Sequence, residues 1–125
     1  MREILFRGKR ADNEKWVIGY LSSKHTITIT TPCGHTDEIV ICADTVGQYT
    51  GLNDKNGKRI FEGDIAKVLQ GKDKDIAYVG FENGAFMLYP KTENIYERTL
   101  WSYWYNDWDI EVIGNITDNP ELLEK

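Results

Sequence analysis

Helical periodicity is scarce along this chain, and short runs of Ile, Val, Thr and aromatic residues dominate it. The runs Glu3–Arg7, Trp16–Leu21, His25–Thr31, Glu38–Ala43, Asp64–Gln70, Asp75–Phe81, Ala85–Tyr89 and Asp109–Ile113 are predicted as strands. Such residues fit a pleated, half-buried surface, and each run is bounded by short polar or glycine-bearing links. Asp12-Asn13-Glu14-Lys15, Gly71-Lys72-Asp73-Lys74 and Glu82-Asn83-Gly84 read as turns. The best helix start comes last, with Asn119 as N-cap and Pro120 at the first helical position before Glu121-Leu122-Leu123. Both residue types suit those positions, but the remaining chain has room for one short helical turn.

The centre of the chain, Gln48–Ile65, strings two turns and two strand starts together. Gln48-Tyr49-Thr50-Gly51-Leu52 reads as extended. Asn53-Asp54-Lys55-Asn56-Gly57-Lys58 is turn chemistry, because Asn and Asp bond their own backbone and Gly57 reaches positive φ without a Cβ penalty. Glu62-Gly63-Asp64 is a second tight turn before the strand that starts at Ile65. A calcium loop is excluded: its ligand register would place Lys58, Arg59 and Ile65 where an oxygen ligand, a glycine and a bidentate Glu are needed.

This central run resembles the signature of the YopX family of phage and prophage proteins. Two further blocks carry the resemblance in the same order. Arg2-Glu3-Ile4-Leu5-Phe6-Arg7-Gly8-Lys9 looks like the family's opening strand, and Glu111–Leu123, with Gly114, Asn115 and Pro120, looks like its closing segment. The resemblance implies a largely β phage accessory protein that is not an enzyme, with no catalytic residues to carry over. Its shared positions, Gln48, Tyr49, Thr50, Gly51, Asp54, Gly57, Gly63, Asp64, Gly114, Asn115 and Pro120, are of structural types, and the three blocks are expected to meet in space. Pro32–His35 and the aromatic run near Trp104 lie outside those blocks.

The expected fold is mostly β: N-terminal antiparallel strands joined to a small SH3-like β-barrel, with a short C-terminal helical turn. At 125 residues the chain is one domain. The pattern also accommodates a division near Asp44–Gly47 into two β lobes, residues 1–45 and 46–125. With 41% hydrophobic and 28% charged residues it has the composition of a soluble globular protein. No run approaches the roughly 20 apolar residues that span a bilayer, and the N-terminus lacks the apolar core of a signal peptide. We expect the bacterial host cytoplasm, with no membrane partner and no cofactor.

The net charge of −5 is uneven. Residues 106–125 carry six acids against one lysine, whereas residues 1–16 carry five bases against three acids. Duplex DNA binding needs a strong cationic footprint, which neither end supplies.

His25, Cys33, His35 and Cys42 invite a zinc reading. A hairpin turning at Thr31–Thr36 would pair residues whose numbers sum to about 67, setting His25 opposite Cys42 and leaving Cys33 and His35 at the tip. At about 3.3 Å per residue the two pairs would lie on the order of 25 Å apart, which rules out one tetrahedral site. Cys42 is then expected as a buried thiol and Cys33–His35 as an exposed loop. A Cys33–His35 nucleophilic pair lacks a visible group to lower the thiol pKa or a third residue to orient it.

The most unusual local composition is Trp101-Ser102-Tyr103-Trp104-Tyr105-Asn106-Asp107-Trp108. Read as extended chain, Trp101, Tyr103 and Tyr105 line one face and close the core, which leaves Trp104 exposed. An exposed indole suits a protein interface, and Asp107, Asp109 and Glu111 beside it repel phosphate. Trp101, Tyr103, Trp104, Tyr105 and Trp108 are therefore the candidate interaction surface for a protein partner or a second copy of the chain. The alternative is a nucleic-acid-binding factor that uses a β surface with Arg2, Arg7, Lys9 and Arg10.

Overall fold

The computed structural model describes residues 3–124. Met1, Arg2 and Lys125 lie outside them, and with them the Arg2 of the predicted basic patch. The protein is mostly β, built from antiparallel sheets, and its contacts divide it into residues 1–49 and 50–125.

In the first unit β1 (Phe6–Lys9), β2 (Trp16–Ser23), β3 (Thr26–Thr30) and β4 (Thr36–Val40) lie side by side in sequence order. The front of β5 (Gly47–Asn53) pairs with the other edge of β1 through Phe6↔Gln48 and Arg7↔Gly47. The register Leu21↔Ile27↔Ile39 places these apolar side chains on one face, and Ile27 and Ile41 are buried. The strands approach closely there: a Cβ on Gly19 would stand 2.4 Å from the carbonyl oxygen of Thr28. On the opposite face Arg7↔Ile18 and Lys9↔Trp16 are cross-strand neighbours, with Tyr20 following in register. A short 3₁₀ turn, Ala43–Thr45, leads into β5. Its Thr45 hydroxyl accepts from the Lys9 N–H (2.9 Å) and donates to the Cys42 carbonyl (2.6 Å).

In the second unit the rest of β5 lies beside β6 (Arg59–Phe61). Five further strands follow: β7 (Asp64–Gln70), β8 (Asp73–Glu82), β9 (Ala85–Pro90), β10 (Arg98–Thr99) and β11 (Asp109–Asn115). Their order is β10-β9-β8-β7-β11. The two-residue period sends Ala66 and Val68 of β7, Ala77 and Val79 of β8 and Leu88 of β9 into one core. The six-residue helix α1 (Leu100–Tyr105) contributes Leu100 and Tyr103 to that core, spaced three apart as one helical face requires. No closed barrel is detected among the described residues, so the SH3-like barrel is not confirmed.

Several expectations need correction. The aromatic run is not extended; it coils into α1. Cys42 is exposed rather than buried, because Ile41 takes the inward position after β4 and alternation turns the next residue out. The hairpin register sums to 66, as in Thr30↔Thr36, so the Ile41 N–H meets the His25 carbonyl (2.8 Å) and Cys42 falls one residue beyond. The last turn, Pro120–Leu123, is 3₁₀; Asn119 occupies its N-cap position as expected, but its side chain makes no capping bond. The Asn119 carboxamide oxygen accepts instead from the Asn115 N–H (3.2 Å). Strand β10 is too short to carry a pattern, and of β6 the sequence shows only the return of apolar residues at Ile60-Phe61 between the two central turns.

Candidate interaction surface

Helix α1 exists because both of its ends are capped. Thr99 is the N-cap, its hydroxyl accepting from the Ser102 N–H (3.1 Å). At the other end the Trp108 N–H bonds the Tyr103 carbonyl (3.2 Å) and the Asp107 N–H bonds the Trp104 carbonyl (3.3 Å). These two bonds form a Schellman motif, and its usual apolar contact is the edge-on packing of Tyr103 on Trp108, centroids 5.0 Å apart. The motif needs left-handed backbone just past the helix, and Asp107 supplies it at φ +61. Side chains reinforce the turn: the Asn106 carboxamide donates to the Ser102 carbonyl (2.8 Å), and Gln70 of β7 donates to the Asn106 carbonyl (2.8 Å).

The helix sorts the aromatic run into two sets. Tyr103 is 1% exposed, its hydroxyl donates to the Tyr96 carbonyl, and burial pushes its pKa up. Trp108 packs partly against the same core. Trp101, Trp104 and Tyr105 face outward with 57%, 47% and 64% of their surface exposed. Trp101 and Tyr105, four residues apart, stack with centroids 4.8 Å apart and planes inclined by 15°. Trp104 is thus exposed as expected, whereas Trp101 and Tyr105 join it outside and Tyr103 alone goes in. A sequence signal for this existed: Thr99 before the run and Asn106-Asp107 after it are cap residues, and they bracket Leu100 and Tyr103 at helical spacing.

Beside this face runs a shallow groove of about 410 Å³. Trp104, Tyr105 and Trp108 line it with Asp107 and Asp109, and the turn bearing Lys55 forms its far wall. That turn is fixed by Asp54. Its carboxylate accepts from the backbone N–H of Asn56, Lys58 and, across 58 residues, Val112 of β11, each at 2.9 Å. Burial pushes the Asp54 carboxyl up, but the three N–H donors outweigh it and hold the pKa below the ordinary aspartate value. The Lys55 N–H adds a bond to the Ile110 carbonyl (2.9 Å), and its ammonium leans toward Glu111 at 3.9 Å.

The other shared positions are structural. Gln48 pairs with Phe6, and the buried Tyr49 donates its N–H to the Leu5 carbonyl (2.8 Å). The Thr50 hydroxyl donates to the Ile60 carbonyl (2.8 Å), and Gly51 and Gly57 hold left-handed backbone. Gly63, at φ +92, donates to the Val79 carbonyl and accepts from the Ile116 N–H, both at 2.8 Å. The buried Asp64 accepts from the Phe61 N–H (2.8 Å). A Cβ at Gly114 would stand 2.6 Å from the Asn119 carboxamide oxygen. Asn115 accepts from the N–H groups of Thr117 and Asp118 in the bend before Pro120. The opening block therefore meets the front of the central run in the first unit, and the closing block meets its back in the second.

Of the predicted basic residues, Arg7, Lys9 and Arg10 are engaged locally. The Arg7 guanidinium lies 4.8 Å and the Lys9 ammonium 5.7 Å from the centre of the Trp16 ring. Arg10 forms two hydrogen bonds with Asp12, both 2.9 Å, which lower the Asp12 pKa and raise that of Arg10. Among the described residues no group of three or more His, Cys, Asp or Glu is placed to hold a metal, and no helix is long and apolar enough to cross a membrane.

A family model described as YopX protein matches residues 5–124, nearly the whole chain, and the chain belongs to that family. No curated protein matches it. Among solved structures, that of protein EF1440 from Enterococcus faecalis is similar, with 23% identity and a TM-score of 0.58. The match covers 99% of this chain and all of that one, and at this identity it shows the fold alone.

Proposed function

We propose that this YopX-family protein is a non-enzymatic accessory module, acting in the cytoplasm of a phage-bearing bacterial host, that binds a protein partner through the outer face of α1. The supporting observation is the outward projection of Trp101, Trp104 and Tyr105 from a helix whose caps and inward Leu100 and Tyr103 hold it in place. Exposed indoles on a pre-formed helix lose little conformational entropy on association and carry large contact area, the properties of interface anchors. A second copy of the chain could supply the same contact.

The test is affinity capture with tagged wild-type protein and with the double variant Trp101→Ala/Trp104→Ala, each with and without nuclease. We expect a nuclease-resistant partner that the variant loses while its melting temperature stays within a few degrees of wild type. Capture that survives the double substitution overturns the reading.

A second reading has its own observation. Arg7, Lys9, Trp16 and Tyr20 share one face of the first unit's sheet, and cations beside aromatic rings suit single-stranded nucleic acid. Retention on single-stranded DNA that falls steeply with salt would support it, and no retention at low salt would remove it.

A further inference from the structure

The groove beside α1 has a charge character that names its occupant. Trp104, Tyr105 and Trp108 line it, and the electron density of an aromatic ring face attracts cations. Asp107 and Asp109 stand among them, and neither forms a salt bridge among the described residues. The one lysine at the groove, Lys55, is drawn toward Glu111. No cation of the described residues lies over Trp104 or Trp108. The walls are pre-formed on both sides, by the Schellman end of α1 and by the Asp54 turn clipped to β11.

Resting on the protein-binding reading above, we propose that this groove receives an arginine side chain from an extended, basic segment of the partner protein. A planar guanidinium stacks on an indole or phenol face while its edge donates paired hydrogen bonds to a carboxylate. An ammonium makes the first contact less well and lacks the paired geometry of the second. The same carboxylates repel a nucleic-acid phosphate, which removes the other common partner of exposed aromatic residues.

The test uses the intact protein and a defined probe, an acetylated decapeptide alternating glycine and arginine, with lysine and glutamate versions as controls. Binding is followed by indole fluorescence and by shifts of the Trp104 and Trp108 indole N–H signals. The arginine peptide is expected to bind severalfold more tightly than the lysine peptide, and the glutamate peptide not at all. Asp107→Asn and Asp109→Asn are each expected to weaken it about tenfold, the scale of one charge-assisted contact. Asn tolerates left-handed backbone, so Asp107→Asn keeps the helix end, and the melting temperature verifies folding.

Equal binding of all three peptides, shifts confined to other residues, or affinity unchanged in both Asn variants overturns the arginine assignment. Sedimentation that shows self-association abolished by Trp104→Ala overturns it in favour of a second copy. If the Asn variants capture the natural partner as well as wild type while Trp101→Ala/Trp104→Ala does not, the arginine assignment fails and the protein-binding reading stands. If the double aromatic variant also captures it, that reading fails as well.

Discussion

Each unit sets tryptophan rings beside charged side chains, Trp16 in the first and Trp104 and Trp108 in the second, and the neighbouring charges have opposite signs. In the first, Trp16 lies on the sheet face with the cations of Arg7 and Lys9 against its ring. In the second, Trp104 and Trp108 stand beside Asp107 and Asp109, and no cation of the described residues covers either ring. An indole over a guanidinium is a finished contact within its own chain. An indole beside carboxylates has its attraction for cations reinforced and unmet. On the proposal made above, the sign of the neighbouring charge, and not the density of aromatic residues, distinguishes the interaction surface.

The largest expected effect tests whether α1 divides its aromatic residues as described. Tyr103→Ala removes a side chain 1% exposed that fills the second unit's core and packs on Trp108. It should cost about 3–5 kcal/mol, the range for large buried aromatic truncations. Trp101→Ala and Trp104→Ala should each stay within about 1 kcal/mol, as exposed substitutions do. Urea unfolding of the three variants checks this, and comparable losses in all three would mean that the outer face is part of the core.

Next in size is the wall of the groove. Asp54→Asn keeps the shape but replaces a carboxylate that accepts three N–H bonds. At neutral pH it should cost about 2 kcal/mol, since bonds to a charged acceptor exceed those to a neutral one. The sign follows from the lowered folded-state pKa. The wild-type contribution is fully present above the unfolded value of about 4 and is lost as pH falls through the folded value. The gap between wild type and variant should therefore be full above the unfolded value and close as pH falls below it, and a gap independent of pH would remove the charge from the explanation.

Trp16→Leu tests the other side of the comparison. It keeps apolar bulk but removes the ring that Arg7 and Lys9 share. A loss of about 1 kcal/mol is expected, on the order of two partly exposed cation–π contacts. Binding of the arginine peptide should not change. If it weakens together with stability, the two surfaces are coupled and the contrast between them is too simple.

Local chemistry explains which parts were legible in the sequence. Asp64–Gln70 is a strand to the residue, and Ala85–Tyr89 extends only to Pro90, because turns with Gly63, Gly71 and Gly84 bound them sharply. The aromatic run misled because bulky rings favour strands, while the helix was specified by its caps, Thr99 before it and Asn106-Asp107 after it. Leu100 and Tyr103 then decide the matter by burial, which a propensity scale does not contain. The groove was out of reach for another reason. Its far wall depends on Asp54 meeting the Val112 N–H, a side-chain to backbone contact across 58 residues, and no periodicity encodes such a contact.

The smallest effect has the opposite sign in stability and bears most directly on the contrast between the units. Asp107 occupies left-handed backbone at the helix end, where glycine is the usual residue. An L side chain there is strained by roughly 1 kcal/mol or more, although Asp is among the residues that tolerate it. Glycine relieves that strain but adds freedom to the unfolded chain, so Asp107→Gly should stabilise by only about 0.5–1 kcal/mol. The same change removes one of the two carboxylates beside Trp104 and should weaken the arginine peptide about tenfold. Asp107→Asn separates the two consequences: it should lose the binding without gaining the stability. A helix end that is more stable as glycine, yet binds only as aspartate, would mean that the charge is kept for the groove and not for the fold. If Asp107→Gly is more stable and binds as well as wild type, the carboxylate is incidental and the outer face of α1 works through its rings alone.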